Sequence, residues 1–154
     1  MKSGPPLPSP RYAALLQVLR TAESLWEASR VYFAQWDLSP AQFNVLNVLR
    51  SFPEGCSQMD LSRQLVTHRS NVTGLVDRLE RRGLVRRRDV PGDRRAYAVQ
   101  LTAAGQKLLQ EILPLYHAKA ERVWEGIPAG RIPVLLKDLE TLGRNALDVA
   151  EDPS

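Results

Sequence analysis

Nine of the chain's seventeen arginines fall in one short segment, at positions 69, 78, 81, 82, 86, 87, 88, 94 and 95. Four acids share it: Asp77, Glu80, Asp89 and Asp93. The segment therefore carries a net +5, more than the whole chain's +4, and the remainder is slightly acidic. Guanidinium groups bind phosphate in a fork, and they read the O6 and N7 edge of guanine bidentately. Excess positive charge confined to one stretch is the footprint a polyanion selects. A solvated charged face is the plainer alternative. Charge alone does not separate the two.

Little else offers chemistry. The two histidines, His68 and His117, stand far apart. No glycine-rich phosphate loop, metal-spaced ligand set or nucleophile elbow occurs, so no enzyme, metal or cofactor is expected. Cys56 is the single cysteine, which excludes an internal disulfide. It precedes the helix start at Ser57, and the positive end of that helix would lower a thiol pKa, leaving a redox-responsive regulator as one alternative. The start MKSGPPLPSP lacks the apolar run of a signal peptide, and no stretch is apolar enough for a membrane span. A cytoplasmic protein that does not meet the membrane is expected.

The elements that must carry the arginines follow from periodicity. Residues 12–36 show helical spacing without Gly or Pro and predict one long helix. Ser39-Pro40-Ala41-Gln42 is a capping box with proline at the first helical position. Its helix buries Phe43, Leu46, Leu49 and either Val48 or Asn47, and stops before Phe52-Pro53-Glu54-Gly55. Ser57 opens a short helix carrying Leu61 and Leu65, and Thr67 is the cap expected next. Val72, Leu75, Val76 and Leu79 then form one apolar stripe that ends at Gly83. Strands follow at 84–88 and 96–101, the second placing Tyr97, Val99 and Leu101 on one face. Residues 89–95 read as a turn-rich loop. Thr102 caps another long helix, which Pro114 should kink or locally break. A last helix runs to about Val149.

Helices, a short helix, a striped helix and a basic hairpin describe a mainly α protein with a winged helix-turn-helix lobe. Opposite the apolar stripe lie Arg69, Ser70, Asn71, Thr73, Gly74, Asp77 and Arg78. Short hydroxyl and amide groups there can reach base edges in a major groove, and Gly74 lets backbone approach. On the hairpin, Arg94 and Arg95 suit a minor groove, with Asp93 as an internal anchor for the tip. Arg86, Arg87 and Arg88 are candidates for the DNA backbone, but alternation along a strand prevents all three from facing it.

The run GLVRRRDVPGDRRAYAVQLTAAG (83–105) resembles the wing of the MarR (multiple antibiotic resistance regulator) family: Gly-Leu-Val, an Asp…Asp-Arg-Arg wing, then Leu-Thr…Gly. LSPAQFNVLNVL and LSRQLVTHRSNVTGLVDRLERRGLV match it in order and spacing, so the resemblance holds from about Leu38 to Leu109. It implies a homodimer on a pseudo-palindromic double-stranded operator, with 38–102 as the DNA-binding domain. Residues 1–37 and 103–154 would be the helical dimerisation region. It further implies Arg95 in the minor groove, Asp93 supporting the wing, and a repressor released by a small aromatic or anionic effector. Tyr12, Trp26, Tyr32, Trp36, His117 and Trp124 are the candidates for that pocket, although aromatics at helical spacing are more often core. Relatives that sense oxidants use a cysteine in the first helix, and this chain has none there. A winged-helix protein-interaction module is the remaining alternative, with weaker salt dependence to tell it apart.

Overall fold

The computed structural model describes residues 9–66, 71–90 and 92–151, with backbone alone at 93–96. Six helices are present among them: α1 Pro10–Phe33, α2 Pro40–Leu49, α3 Gln58–Gln64, α4 Val72–Arg81, α5 Ala103–Val123 and α6 Ile132–Glu151. Three strands, β1 Cys56–Ser57, β2 Val85–Val90 and β3 Asp93–Leu101, form one antiparallel sheet in the order β1-β3-β2. The chain divides into two compact units, one ending at Gln110 and one beginning at Glu111.

Caps set the helix boundaries in the first unit. Ser39 Oγ accepts from Gln42 N at 3.1 Å while Gln42 Oε1 accepts from Ser39 N at 2.8 Å, the reciprocal pair expected from the sequence. Ser57 Oγ accepts from Asp60 N at 3.0 Å and donates to the Asp60 carboxylate at 2.7 Å. The Thr67 cap lies outside the described residues. Residues 12–36 do not form one α-helix throughout: α1 closes at Phe33 and a 3-10 turn covers Ala34–Trp36.

The stripe Val72, Leu75, Val76 and Leu79 is buried throughout, and it joins Leu46, Leu49, Leu61, Val85, Val99 and Leu109 in the core. In α2, Val45 is buried rather than Val48 or Asn47. A ten-residue helix packed on more than one side buries more than a single stripe.

Two further expectations are corrected. Residues 89–95 are not a long loop: the ladder continues through a bulge at Asp89/Val90 to a Val90–Asp93 pair. Gly92, just before β3, has φ 88°, a left-handed conformation that favours glycine. The sheet also gains β1, whose Cys56 and Ser57 pair with Val99 and Ala98. A two-residue strand is too short to show a period in sequence. Pro114, finally, does not break α5, which is continuous across it. One proline removes a single backbone hydrogen bond, and the rest of a long helix can carry that loss.

The second unit comprises the end of α5, a 3-10 turn at Ala129–Arg131 and α6. No residue of α6 is buried; Val134, Leu136, Leu139, Leu142 and Leu147 are exposed.

Candidate nucleic-acid interface

The outer face of α4 is held by its own neighbours. Gln58, the first residue of α3, donates through Nε2 to Thr73 Oγ1 at 3.2 Å, tying the two helices of the helix-turn-helix together. Asn71 Oδ1 lies 2.5 Å from where a Cβ on Gly74 would stand, so the missing side chain makes room for this carboxamide. Arg78 folds back, its Nε donating to Gly74 O at 3.0 Å. Asn71, Thr73 and Arg78 are exposed and share this face with Gly74. Arg69 and Ser70 lie outside the described residues.

Asp77 departs from the expected outward placement, because it turns toward the wing. Arg87, on β2, donates through Nη2 to Asp77 Oδ1 and through Nη1 to Glu80 Oε2 at 2.5 Å. The backbone N of Arg87 also donates to Glu80 Oε1 at 2.8 Å, and its guanidinium carbon sits 5.2 Å from the Tyr97 ring centre. Burial works against the charged form, but the hydrogen bonds that Arg87 donates to Asp77 and Glu80 help outweigh it and hold the Arg87 pKa above its ordinary value. Arg87 is thus removed from the set of DNA-backbone candidates.

Strand alternation puts Arg86 and Arg88 on the other face of the sheet, both exposed. Gln100 organises them. Its Oε1 accepts from Arg86 Nε at 3.2 Å and Nη2 at 2.9 Å, and from Arg88 Nη1 at 3.3 Å. Gln100 Nε2 donates to Pro53 O at 2.5 Å, bracing the sheet against the loop after α2. The backbone of Asp93, Arg94 and Arg95 belongs to β3 itself; their side chains, including the proposed Asp93 anchor, lie outside what is described.

The end of α4 is anchored twice. Gly83, at φ 67°, donates to Glu80 O at 2.8 Å, and Leu84 N donates to Leu79 O at 3.0 Å, a Schellman closure. Arg82 Nη2 donates to Trp36 O at 3.0 Å and Nη1 to Asp37 O, fastening α4 to the turn that ends α1. Nothing in the spacing of Gln58, Gln100 and Arg82 signals these partners.

Within the first unit, Tyr12, Trp26, Tyr32 and Trp36 do not all gather in one place. Tyr32 meets Phe33 and Trp36 edge-on at 5.3 Å, and Phe33 stacks on the buried Phe43 at 4.2 Å. Tyr12 is exposed and precedes Tyr32 by twenty residues of helix, about 30 Å. Trp26 is half-buried, while His117 and Trp124 are exposed residues of the second unit. An open cavity of about 600 Å3 on α1 is lined by Glu23, Ser24, Glu27, Ala28 and Val31, none of them a candidate. Among the described residues no cluster suits a metal, and no helix is long and apolar enough to cross a membrane.

Cys56 is buried, and burial followed by the nearby Asp60 charge pushes its thiol pKa up rather than down. Burial and a neighbouring carboxylate both disfavour the thiolate. A disulfide reagent such as DTNB is therefore expected to label native Cys56 at least tenfold more slowly than the denatured chain. DNA affinity should be unchanged by peroxide, and rapid labelling with peroxide-dependent release would restore the redox reading.

A family model described as "MarR family" matches residues 36–96. Over 68 residues the chain is 38% identical to the transcriptional repressor MprA of Escherichia coli strain K12, covering 44% of this chain and 39% of that protein. Over 109 residues it is 32% identical to the HTH-type transcriptional regulator YfiV of Bacillus subtilis, covering 70% of this chain and 67% of the relative. The match with MprA thus spans less than half of that repressor's length. The structure of the transcriptional repressor CouR bound to a 23-mer DNA duplex aligns with a TM-score of 0.76 at 30% identity, covering 90% and 99% of the two chains. That of BpsR of Bordetella bronchiseptica, whose DNA binding is regulated by 6-hydroxynicotinic acid, aligns with a TM-score of 0.77 at 26% identity, covering 91% and 98%.

Proposed function

This chain belongs to the MarR family of transcriptional regulators, not to a family of enzymes, and from that premise we propose that it is a homodimeric repressor. Each subunit reads one half-site of a pseudo-palindromic operator, and a small aromatic or anionic molecule releases it. The carrying observation is the polar outer face of α4 fixed beside a basic two-stranded wing. Asn71, Thr73, Gly74 and Arg78, with Arg69 and Ser70, enter the major groove. Arg94 and Arg95 meet the adjacent minor groove with Asp93 behind them, and Arg86 and Arg88 contact phosphates.

Dimerisation is supported by apolar surface left open at both ends of the chain. Leu15, Leu19, Leu25 and Val31 of α1 are exposed, as are six large apolar side chains of α6. At about 25 cal/mol per Å2 such stripes favour burial against a second copy, and a twofold axis suits a palindromic site. Residues 1–37 and 103–154 would form that interface and 38–102 the reading lobe, in a cytoplasmic protein. That MprA and CouR are repressors supports repression, and the regulation of BpsR's DNA binding by 6-hydroxynicotinic acid supports control by a small aromatic acid. In this chain Tyr32 and Trp36, beside the α1–α2 junction, are the first-unit aromatic candidates nearest the reading lobe, and Tyr12, Trp26 and His117 are the other candidates for the pocket.

Selection from a randomised duplex library tests this. The purified protein should sediment as a dimer and enrich inverted half-sites whose centres lie about 10 base pairs, or a multiple, apart. Affinity should fall steeply with salt, with a log–log slope of about −0.9 for each phosphate neutralised. A monomer, or a dimer whose weak DNA binding scarcely responds to salt, would instead support the protein-interaction module.

A further inference from the structure

The Arg87 cluster joins two parts that a reading head must keep in register. One end is α4, through Asp77 and Glu80; the other is the wing, through the Arg87 guanidinium and backbone N on β2 and the Tyr97 ring on β3. Both carboxylates come from the side of α4 that meets the sheet, and the Arg87 side chain is 22% exposed against 43% for Asp77 and 37% for Glu80. A fork that satisfies two carboxylates and lies over a ring has a fixed direction, which a single ion pair lacks. Four interactions from three elements therefore define the angle between recognition helix and wing. We propose that Arg87 is a positioning residue for DNA recognition: it touches no DNA, and it holds the wing at the tilt that lets wing and α4 engage adjacent grooves together.

The geometry assigns a second consequence. Arg87 covers two acids that would otherwise stand beside the phosphate backbone, so its loss would also uncover negative charge. Recognition constellations tolerate displacements of only about 10–20° before contacts are lost. A wing freed from α4 would leave its groove first, while α4 is still held by Arg82 and the Gly83 closure.

This inference rests on the DNA-binding reading, and footprints on the operator selected by the unaltered protein separate the two. Arg87→Met is expected to weaken binding at least tenfold. Hydroxyl-radical protection under the wing should vanish while methylation protection in the major groove under α4 persists at saturating protein. Arg87→Lys, which can reach one carboxylate but cannot bridge both, should fall between. The neutral triple variant Arg87→Met, Asp77→Asn, Glu80→Gln should still lack wing protection. Its recovery would show that uncovered charge, not lost geometry, was responsible, and would overturn the proposal. Equal weakening of both protections, or no change in either, would overturn it as well. Should Arg87→Met fail to fold, Asp77→Asn removes one exposed arm and reads out the same way, with partial loss of wing protection expected. If the unaltered chain selects no duplex, the regulator reading itself falls and takes this inference with it.

Discussion

Gly105→Ala is expected to lower the thermal unfolding midpoint by roughly 6–12 °C, taking a cost of about 3 kcal/mol and about 2–4 °C per kcal/mol for a chain of this size. Gly105 occupies the third position of α5, where its N donates to Thr102 Oγ1 at 3.1 Å. The Thr102 hydroxyl donates in turn to Gly83 O at 2.6 Å, and Thr102 N donates to Leu84 O at 3.1 Å. This knot closes the wing: the residues that end α4 meet those that begin α5, nineteen positions later. A Cβ on Gly105 would fall inside the Leu84 carbonyl, which is backbone, already held by Thr102 N, and cannot swing aside as a side chain would. Either β2 shifts or the α5 start withdraws, and both disturb Val85, Leu101 and Leu109, which are buried there. A change of less than 2 °C in a calorimetric scan would mean that α5 can slide from β2 without cost. Gly83 presents a different case. Its φ of 67° favours glycine, but nothing stands near its missing Cβ, so Gly83→Asn should be much milder.

The second large effect concerns Arg95. Arg95→Ala should reduce affinity for the selected operator by about ten- to a hundredfold, or about 1.4–2.8 kcal/mol, with folding and dimerisation intact. The support comes from the ladder. Because β2 runs to Val90 and β3 begins at Asp93, the backbone of residues 93–95 belongs to a strand and not to a long loop, with Asp93 paired to Val90. A strand-borne arginine is presented at lower entropic cost than a loop-borne one. Arg86→Ala offers the contrast. A phosphate contact contributes to every sequence alike, so binding should weaken uniformly and the salt slope should drop by about one. A titration in which Arg95→Ala binds as tightly as the unaltered protein would remove Arg95 from the interface.

Elements whose signal is local were legible from residue order. The α2 capping box, the buried stripe of α4, the closure at Gly83 and the alternation of Tyr97, Val99 and Leu101 stand where periodicity and cap chemistry placed them. The family pattern at 83–105 was legible as a string, and the structure supplies its physical meaning in the Gly83–Thr102–Gly105 knot. Strand ends were harder. The stretch around the Val90–Asp93 pair reads as a loop until the ladder is seen, and a two-residue strand such as β1 has no period to detect.

Sequence alone determined the chemistry available: a basic segment, an amphipathic helix with short polar groups outward, and a mainly α fold with one hairpin. Tertiary structure decided how that charge is spent. Three consecutive arginines, 86 to 88, look alike in the string, yet one is committed to Asp77 and Glu80 while its neighbours meet Gln100 on the opposite face. Arg82 reaches back 46 positions to Trp36, and Gln100 reaches 47 to Pro53. Caps and stripes are set by neighbours within a turn or two, whereas an ion pair depends on which elements the whole chain brings face to face.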